Sequence, residues 1–358
     1  MDVVYLSLAS LLLLTALLPL VPHPHWIFRI WEFGRIQALV LQLLVIVSGF
    51  VAVDHDTRFW VLQGALCVLA GLNVVTLYPY TKLYRLPPPP QKPRSGDVSL
   101  LSVNVYQFNK EYHHLLELVR ERKPDILLTM ESNKAWEDAL APLDADYPHS
   151  LKIPLENTYG MHFYSRLKVR HLKAHYFVAD DLPSIEAELE DPSGRPFTVF
   201  CVHPAPPSPT EEATARERDG ELLSVAKKVK EHKGEALVVG DFNNVAWAKS
   251  SILFRKESGL IDPRIGRGFV STFHARYRWL RFPIDLFFHS PEVFVEEFCT
   301  LRPVGSDHLP LYCRFYINPA DGRQEAQVEQ LEAGAEEEVE EMIQEGKEEQ
   351  SDRKPVAD

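Results

Sequence analysis

Apolar positions follow two rhythms along this chain. In the first 80 residues they run almost unbroken in three blocks, Val3 to Val21, Ile36 to Val53 and Trp60 to Tyr78. From about Val98 onward, short β-branched and aromatic runs alternate with amphipathic stretches. Each early block is close to the ~20 residues that a helix needs to cross a ~30 Å hydrocarbon layer. No Lys or Arg precedes the first block and no small-x-small site follows it, so it reads poorly as a cleaved signal peptide. Trp26, Trp31, Trp60, Tyr78 and Tyr80 fall at block ends, where amphipathic rings settle at a membrane interface. Three membrane-crossing helices within residues 1–85 are therefore predicted. Arg29, Arg35, Lys82, Arg85, Lys92 and Arg94 share one side of such a region, against Arg58 on the other. That asymmetry places the rest of the chain in the cytoplasm, beneath a multi-pass anchor in the cell (inner) membrane.

The stretch "LPPPPQKPRSG" predicts an extended spacer over residues 86–97. Between residues 98 and 318 the period-2 runs predict nine strands: "VSLLSVNVY", "DILLTM", "GMHFYS", "SIEAELE", "PFTVFCVH", "EALVVGDF", "IDLFFHS", "EVFVEEFCTL" and "LYCRFYI". Helices are expected over "KEYHHLLELVRER", after Ser132, and from Thr210 to His232. Many strands with few helices point to an α/β fold of two packed sheets with outer helices. Residues 319–358 read as an acidic tail, disordered or helical.

Charge changes this picture little. The chain of 358 residues carries a formal net charge of -12, but the tail from Asp321 holds 14 acidic against 4 basic residues and accounts for most of it. The near-neutral remainder lacks the basic balance of a protein that grips long nucleic acid by charge alone. The four cysteines have no zinc-type spacing, which leaves buried free thiols as their simplest role.

The chemistry gathers at strand ends. Asn104 closes "LLSVN", Glu131 follows "DILLTM", His203 follows "FTVFCV", Asp241 and Asn243 sit in "GDFNN", and Asp307 and His308 in "GSDHLP". Singly, each has a plain alternative as a cap or a turn former. Asp285, inside the apolar run "PIDLFF", is harder to dismiss, because a buried carboxylate needs a partner and His308 suits it. Together the set meets the needs of phosphoester hydrolysis. A hard cation on carboxylates (Glu131, with Asp307 or Asn104) would offset the phosphate charge, a carboxylate-oriented histidine would handle the water proton, and His203 and Asn243 would donate to phosphate oxygens.

These motifs, over about Val98 to Phe315, resemble the endonuclease/exonuclease/phosphatase superfamily with its deoxyribonuclease I-like fold. The resemblance implies a four-layer α/β/β/α sandwich, preceded here by three transmembrane helices as in membrane-attached bacterial members. It implies Mg²⁺, with Mn²⁺ as a substitute, held by Glu131, Asn104 and Asp307. It implies catalysis by His203, Asp241, Asp285 and His308, with Asn243 on the scissile phosphate. Arg166 in "YGMHFYSR" is carried as a substrate contact. Leu286 follows Asp285 where many members have His, and the Trp/Arg pattern of inositol polyphosphate 5-phosphatases is absent. A metal-dependent phosphoric ester hydrolase is expected, nuclease-type in the first instance, with a phospholipid or small-molecule phosphatase, or a non-catalytic membrane binding module, as alternatives. The loop "FHARYRWLRF" suits either single-stranded nucleic acid or a membrane surface. The bilayer and the phosphoester are the expected partners, with no obligate protein partner.

Overall fold

The computed structural model describes residues 2–86, 96–349 and 351. Most of the expected spacer, 87–95, lies outside the described residues. Two sheets face each other. The first has the order β10 (Val293–Thr300), β11 (Leu311–Ile317), β1 (Val98–Asn104), β2 (Ile126–Met130), β4 (Met161–Ser165), β3 (His149–Ile153). The second runs β5 (Val169–His175), β6 (Ser184–Glu190), β7 (Pro196–Val202), β8 (Ala236–Asp241), β9 (Asp285–His289). β1 pairs parallel with β2, and β7 with β8; the other pairings are antiparallel.

Alternation along the strands explains the layers. Leu100, Ile126, Leu128 and Phe163 of one sheet meet Ala187, Val199, Leu237 and Phe287 of the other in a shared core. The opposite faces bury Leu101 and Val103 under α5 (Tyr112–Arg122) and α6 (Lys134–Leu140). On the other side Val202, Val238 and Phe288 lie under α7 (Arg216–Glu231) and α8 (Lys249–Ser258). The result is an α/β/β/α sandwich.

Two strands and a helix were not read from the pattern. β3 and β5 are two of the four edge strands, half-exposed and carrying Lys152, Arg170 and Lys173, the charged character that keeps edges from pairing with other chains. α8 has few apolar residues, with Leu253 and Phe254 buried. The helix expected from Thr210 starts at Arg216, because the preceding backbone is used elsewhere: Ala213 accepts from Trp26 and Ala215 donates to Pro24. In the acidic tail, α9 (Ala335–Glu348) is a docked helix. It buries Val339 and Ile343 against Leu223 and Leu253, and its acidic face meets Lys227, Lys230 and Lys249.

The N-terminal region forms α1 (Asp2–Leu17), short α2 (Trp26–Arg29), α3 (Arg35–Ala52) and α4 (Thr57–Leu77). By length and composition Asp2–Leu20 and Thr57–Tyr80 can each cross a membrane. Trp26–Glu32 with Arg35–Val51, bent by 71°, makes a third if counted as one span. The bundle sits on the sandwich: Leu77 and Tyr80 join the core beneath α7, and the Trp247 indole donates to the Glu32 carbonyl at 2.7 Å.

Candidate active site

Strand direction brings the polar residues together. Asn104 and Glu131 end or follow parallel strands of one sheet, and His203 and Asp241 those of the other. Asp285 opens β9 and His308 precedes β11, both antiparallel, so they enter from the same end. One end of the sandwich therefore carries the whole set.

Asn104 Nδ2 links the sheets, donating to Glu131 Oε1 at 2.8 Å and to Asp241 Oδ2 at 3.1 Å. Glu131 Oε2 accepts from the Gln107 amide at 3.1 Å. The Glu131 backbone is left-handed, φ 58°, as is that of Asn243, φ 48°, conformations that non-glycine residues hold only when their surroundings enforce them. Asn243 accommodates this by donating its backbone N–H to Asp241 Oδ1 at 2.9 Å and its side-chain amide to the Pro204 carbonyl at 2.9 Å. Arg218, fully buried, donates to the Asn243 carbonyl at 3.1 Å. Gly240 has no room for a side chain: at φ 155°, a Cβ would stand 1.9 Å from the Val202 carbonyl oxygen of the paired strand.

His308 Nδ1 lies 2.7 Å from Asp285 Oδ2, and its Nε2 faces Asp241 Oδ2 at 3.6 Å. Burial alone would lower the His308 pKa, but Asp285 and Asp241 outweigh it and lift the imidazole to about 10, so the ring carries its proton. Burial pushes Asp241 up to about 7 and raises Glu131 as well, the latter opposed by the Asn104 and Gln107 hydrogen bonds. His203, buried with Nε2 4.0 Å from Asp241 Oδ2, is lowered to about 3 by burial, and its Nδ1 has no hydrogen-bond partner. Asp307 is partly exposed beside them.

Four carboxylates thus converge around one imidazolium. Carboxylate oxygens gathered in this way, with Asp241 and Asp285 buried and Glu131 and Asp307 partly so, are a donor set suited to a hard divalent cation. Asp241, Asp285 and His308 also have ligand atoms within 4.8 Å of one another, a buried cluster able to hold a metal.

Arg166 does not belong here. β4 runs antiparallel to β2, so Ser165 pairs with Ile126 and Arg166 emerges at the far end, donating to the Lys123 carbonyl and lying over the Tyr147 ring. Sequence reasoning also passed over residues that hold the site in place. Ser306 donates to the Asn104 carbonyl at 2.7 Å and accepts the His308 N–H at 3.0 Å. Gln107 braces Glu131, and the Phe273 ring packs on His308 at 4.9 Å. Ser306 stands inside "GSDH" and was there to be noticed, whereas Gln107 and Phe273 have no local signal.

No curated protein matches the chain. Among solved structures, D. rerio TDP2 complexed with a single strand DNA product superposes at TM-score 0.52 and 18% identity, covering 61% of this chain and 98% of that one. A Bacteroides thetaiotaomicron endonuclease/exonuclease/phosphatase family protein gives 0.51 at 17%, covering 64% and 99%. The human Nocturnin catalytic domain with bound sulfate gives 0.50 at 20%, covering 62% and 95%. At such identities the likeness is one of fold. The model of the endonuclease/exonuclease/phosphatase family, by contrast, matches residues 101–308 directly, from within β1 to His308. The chain belongs to the endonuclease/exonuclease/phosphatase family.

Proposed function

We propose that the protein is a membrane-anchored, Mg²⁺-dependent phosphoesterase that splits its substrate by attack of water at the Asp241–His308 end of the sandwich. The observation that carries this is the Asp285–His308–Asp241 chain, with contacts of 2.7 and 3.6 Å, set against the Asn104–Glu131 pair. Glu131, Asn104 and Asp307 would hold the cation, which offsets phosphate charge and polarises the phosphorus–oxygen bonds when bound.

The protein's own groups account for the protons. Asp241, made more basic by burial, takes a proton from the attacking water as the water oxygen bonds to phosphorus. His308, already protonated and fixed by Asp285, gives its Nε2 proton to the departing oxygen as that phosphorus–oxygen bond breaks. The proton on Asp241 then restores His308 across their 3.6 Å separation. His203 and Asn243 donate to phosphoryl oxygens, and Asp285 acts only by holding the ring. The apolar N-terminal helices, packed on the sandwich, support a bilayer as the anchoring partner, and the Lys and Arg residues gathered on one side of three such spans support a cytoplasmic face for the rest of the chain.

The test uses the full chain in detergent with Mg²⁺ and bis-p-nitrophenyl phosphate. His308→Ala is expected to lower kcat by about 10³-fold with its melting temperature largely kept. Undiminished cleavage by that variant would sink the mechanism.

A further inference from the structure

The cleft does not stop at the catalytic residues. A single cavity of about 980 Å³ is lined by Glu131, Asp241 and His308 and, continuously with them, by side chains of α1, α3 and α4 such as Ala16, Leu41, Leu69 and Leu72. The outer faces of the same helices expose Leu11, Leu44, Val61 and Val68. One apolar bundle thus forms both an outer surface fit for lipid tails and a wall of the catalytic cleft. A hydrolytic site that opens into such a trough suits a substrate that is itself half apolar.

Two arginines line the cavity with this polar–apolar character. Arg29 and Arg35 have buried Nε atoms with no hydrogen-bond partner among the described residues. Arg35 donates to Asn73 Oδ1 at 3.3 Å through Nη1, and the buried Glu32 carboxylate lies close enough to act on both arginines. A buried Nε–H left without an acceptor is costly, and a phosphate oxygen entering the cleft is an acceptor that fits it in charge and geometry. The hairpin from Phe273 to Phe282 adds a third observation. It leans on the start of α3, where Gln37 Nε2 donates to the Trp279 carbonyl at 2.7 Å. Its tip exposes Trp279, at 85%, with Tyr277 and Leu280 beside the arginines at 276 and 278, the mixture that settles at lipid headgroups.

We infer that the phosphoester is a phospholipid of the bilayer, its acyl chains in the trough between α1, α3 and α4 and its phosphate passed by Arg29 and Arg35 to the catalytic end. The inference rests on the phosphoesterase reading above. Water adds to phosphorus, one of the two ester phosphorus–oxygen bonds breaks, and the departing oxygen leaves as an alcohol, so that a phosphomonoester and an alcohol are formed. A nucleic acid strand would instead have to lie along apolar helix walls, on a body near neutral in charge.

The full chain with Mg²⁺ in vesicles of phosphatidylethanolamine and phosphatidylglycerol provides the test, with bis-p-nitrophenyl phosphate assayed in the same vesicles and products followed by mass spectrometry. Both are expected to be hydrolysed. Leu72→Trp, which fills the trough, should lower the ratio of lipid to soluble-ester turnover by about tenfold, a few buried methylenes' worth of contact. Should that variant fold poorly, short-chain phosphatidylglycerols keep the question open to measurement: kcat/KM for the unaltered chain should rise by up to about fourfold per added methylene. Cleavage of the soluble ester with untouched lipid, turnover indifferent to tail length, or preferred cleavage of single-stranded DNA would each overturn the lipid assignment. Failure to cleave either the ester or the lipid would overturn the phosphoesterase reading itself.

Discussion

Two polar regions of this molecule treat their hydrogen-bonding groups in opposite ways. At the catalytic end Asn104, Glu131, Asp285 and His308 are tied to one another and to their neighbours at 2.7 to 3.1 Å. In the cleft between the N-terminal helices and the sandwich, Arg29 Nε and Arg35 Nε are buried without a partner, and Gln42 Nε2 lies likewise unmet within the helices. The first arrangement keeps charges and donors fixed before the substrate arrives, so that little reorganisation is needed during reaction. The second leaves nitrogen donors open, which favours a substrate able to accept from them. His203, at the catalytic end, belongs with the second kind through its unpartnered Nδ1. Under the proposed function the fixed set would carry the proton transfers and the open set would receive the phosphoester.

The sharpest way to break the fixed network is at Glu131. Glu131→Gln retains an oxygen for Asn104 but removes the charge, and the Mg²⁺ concentration for half-maximal cleavage of bis-p-nitrophenyl phosphate is expected to rise by about 10- to 100-fold. Chelation should abolish the activity of the unaltered chain, with Mg²⁺ or Mn²⁺ restoring it. A variant with an unchanged Mg²⁺ requirement would remove Glu131 from the cation site. The open region calls for a subtler measurement, because Arg35→Gln deletes the proposed phosphate contact and also a charge neighbour of the buried Glu32. KM for phosphatidylglycerol in vesicles should rise about tenfold, with kcat little changed. A loss confined to kcat would place Arg35 among the reacting groups and blur the division. The smallest effect belongs to neither region: Arg166→Ala, at the far end of β4, should leave kcat/KM within about twofold. A larger loss would restore it as a substrate contact.

Much of the catalytic end was legible before any fold was known, because each of its residues interrupts or ends an apolar run at a cost that a core would not tolerate without a reason. Asp285 shows this most directly: its place in an apolar strand demanded a partner, and the nearest suitable group proved to be His308. Arg166 shows the limit. Its strand was recognised, but the direction of that strand was not, and direction decides which end of β4 faces the substrate. β3 and β5 lack a clear period-2 pattern because these two edge strands are half-exposed, unlike the edge strand β9, which is buried along its length. The tail helix was judged by its charge, although the two apolar residues that dock it, Val339 and Ile343, lie one turn apart on one face.

By itself the sequence determined the apolar N-terminal blocks, the two-sheet class and the identity of the residues at the strand ends. These are local properties: periodicity, turn chemistry and the expense of polar atoms within apolar runs all act over a few neighbouring residues. Only the tertiary structure decided that Asn104 would bridge Glu131 and Asp241 across two sheets, and that α1, α3 and α4 would wall the cleft. The contacts of Asn104 with Asp241 and of Trp247 with Glu32 join residues more than a hundred positions apart, and they exist only once strand order and the docking of the bundle have brought those segments together.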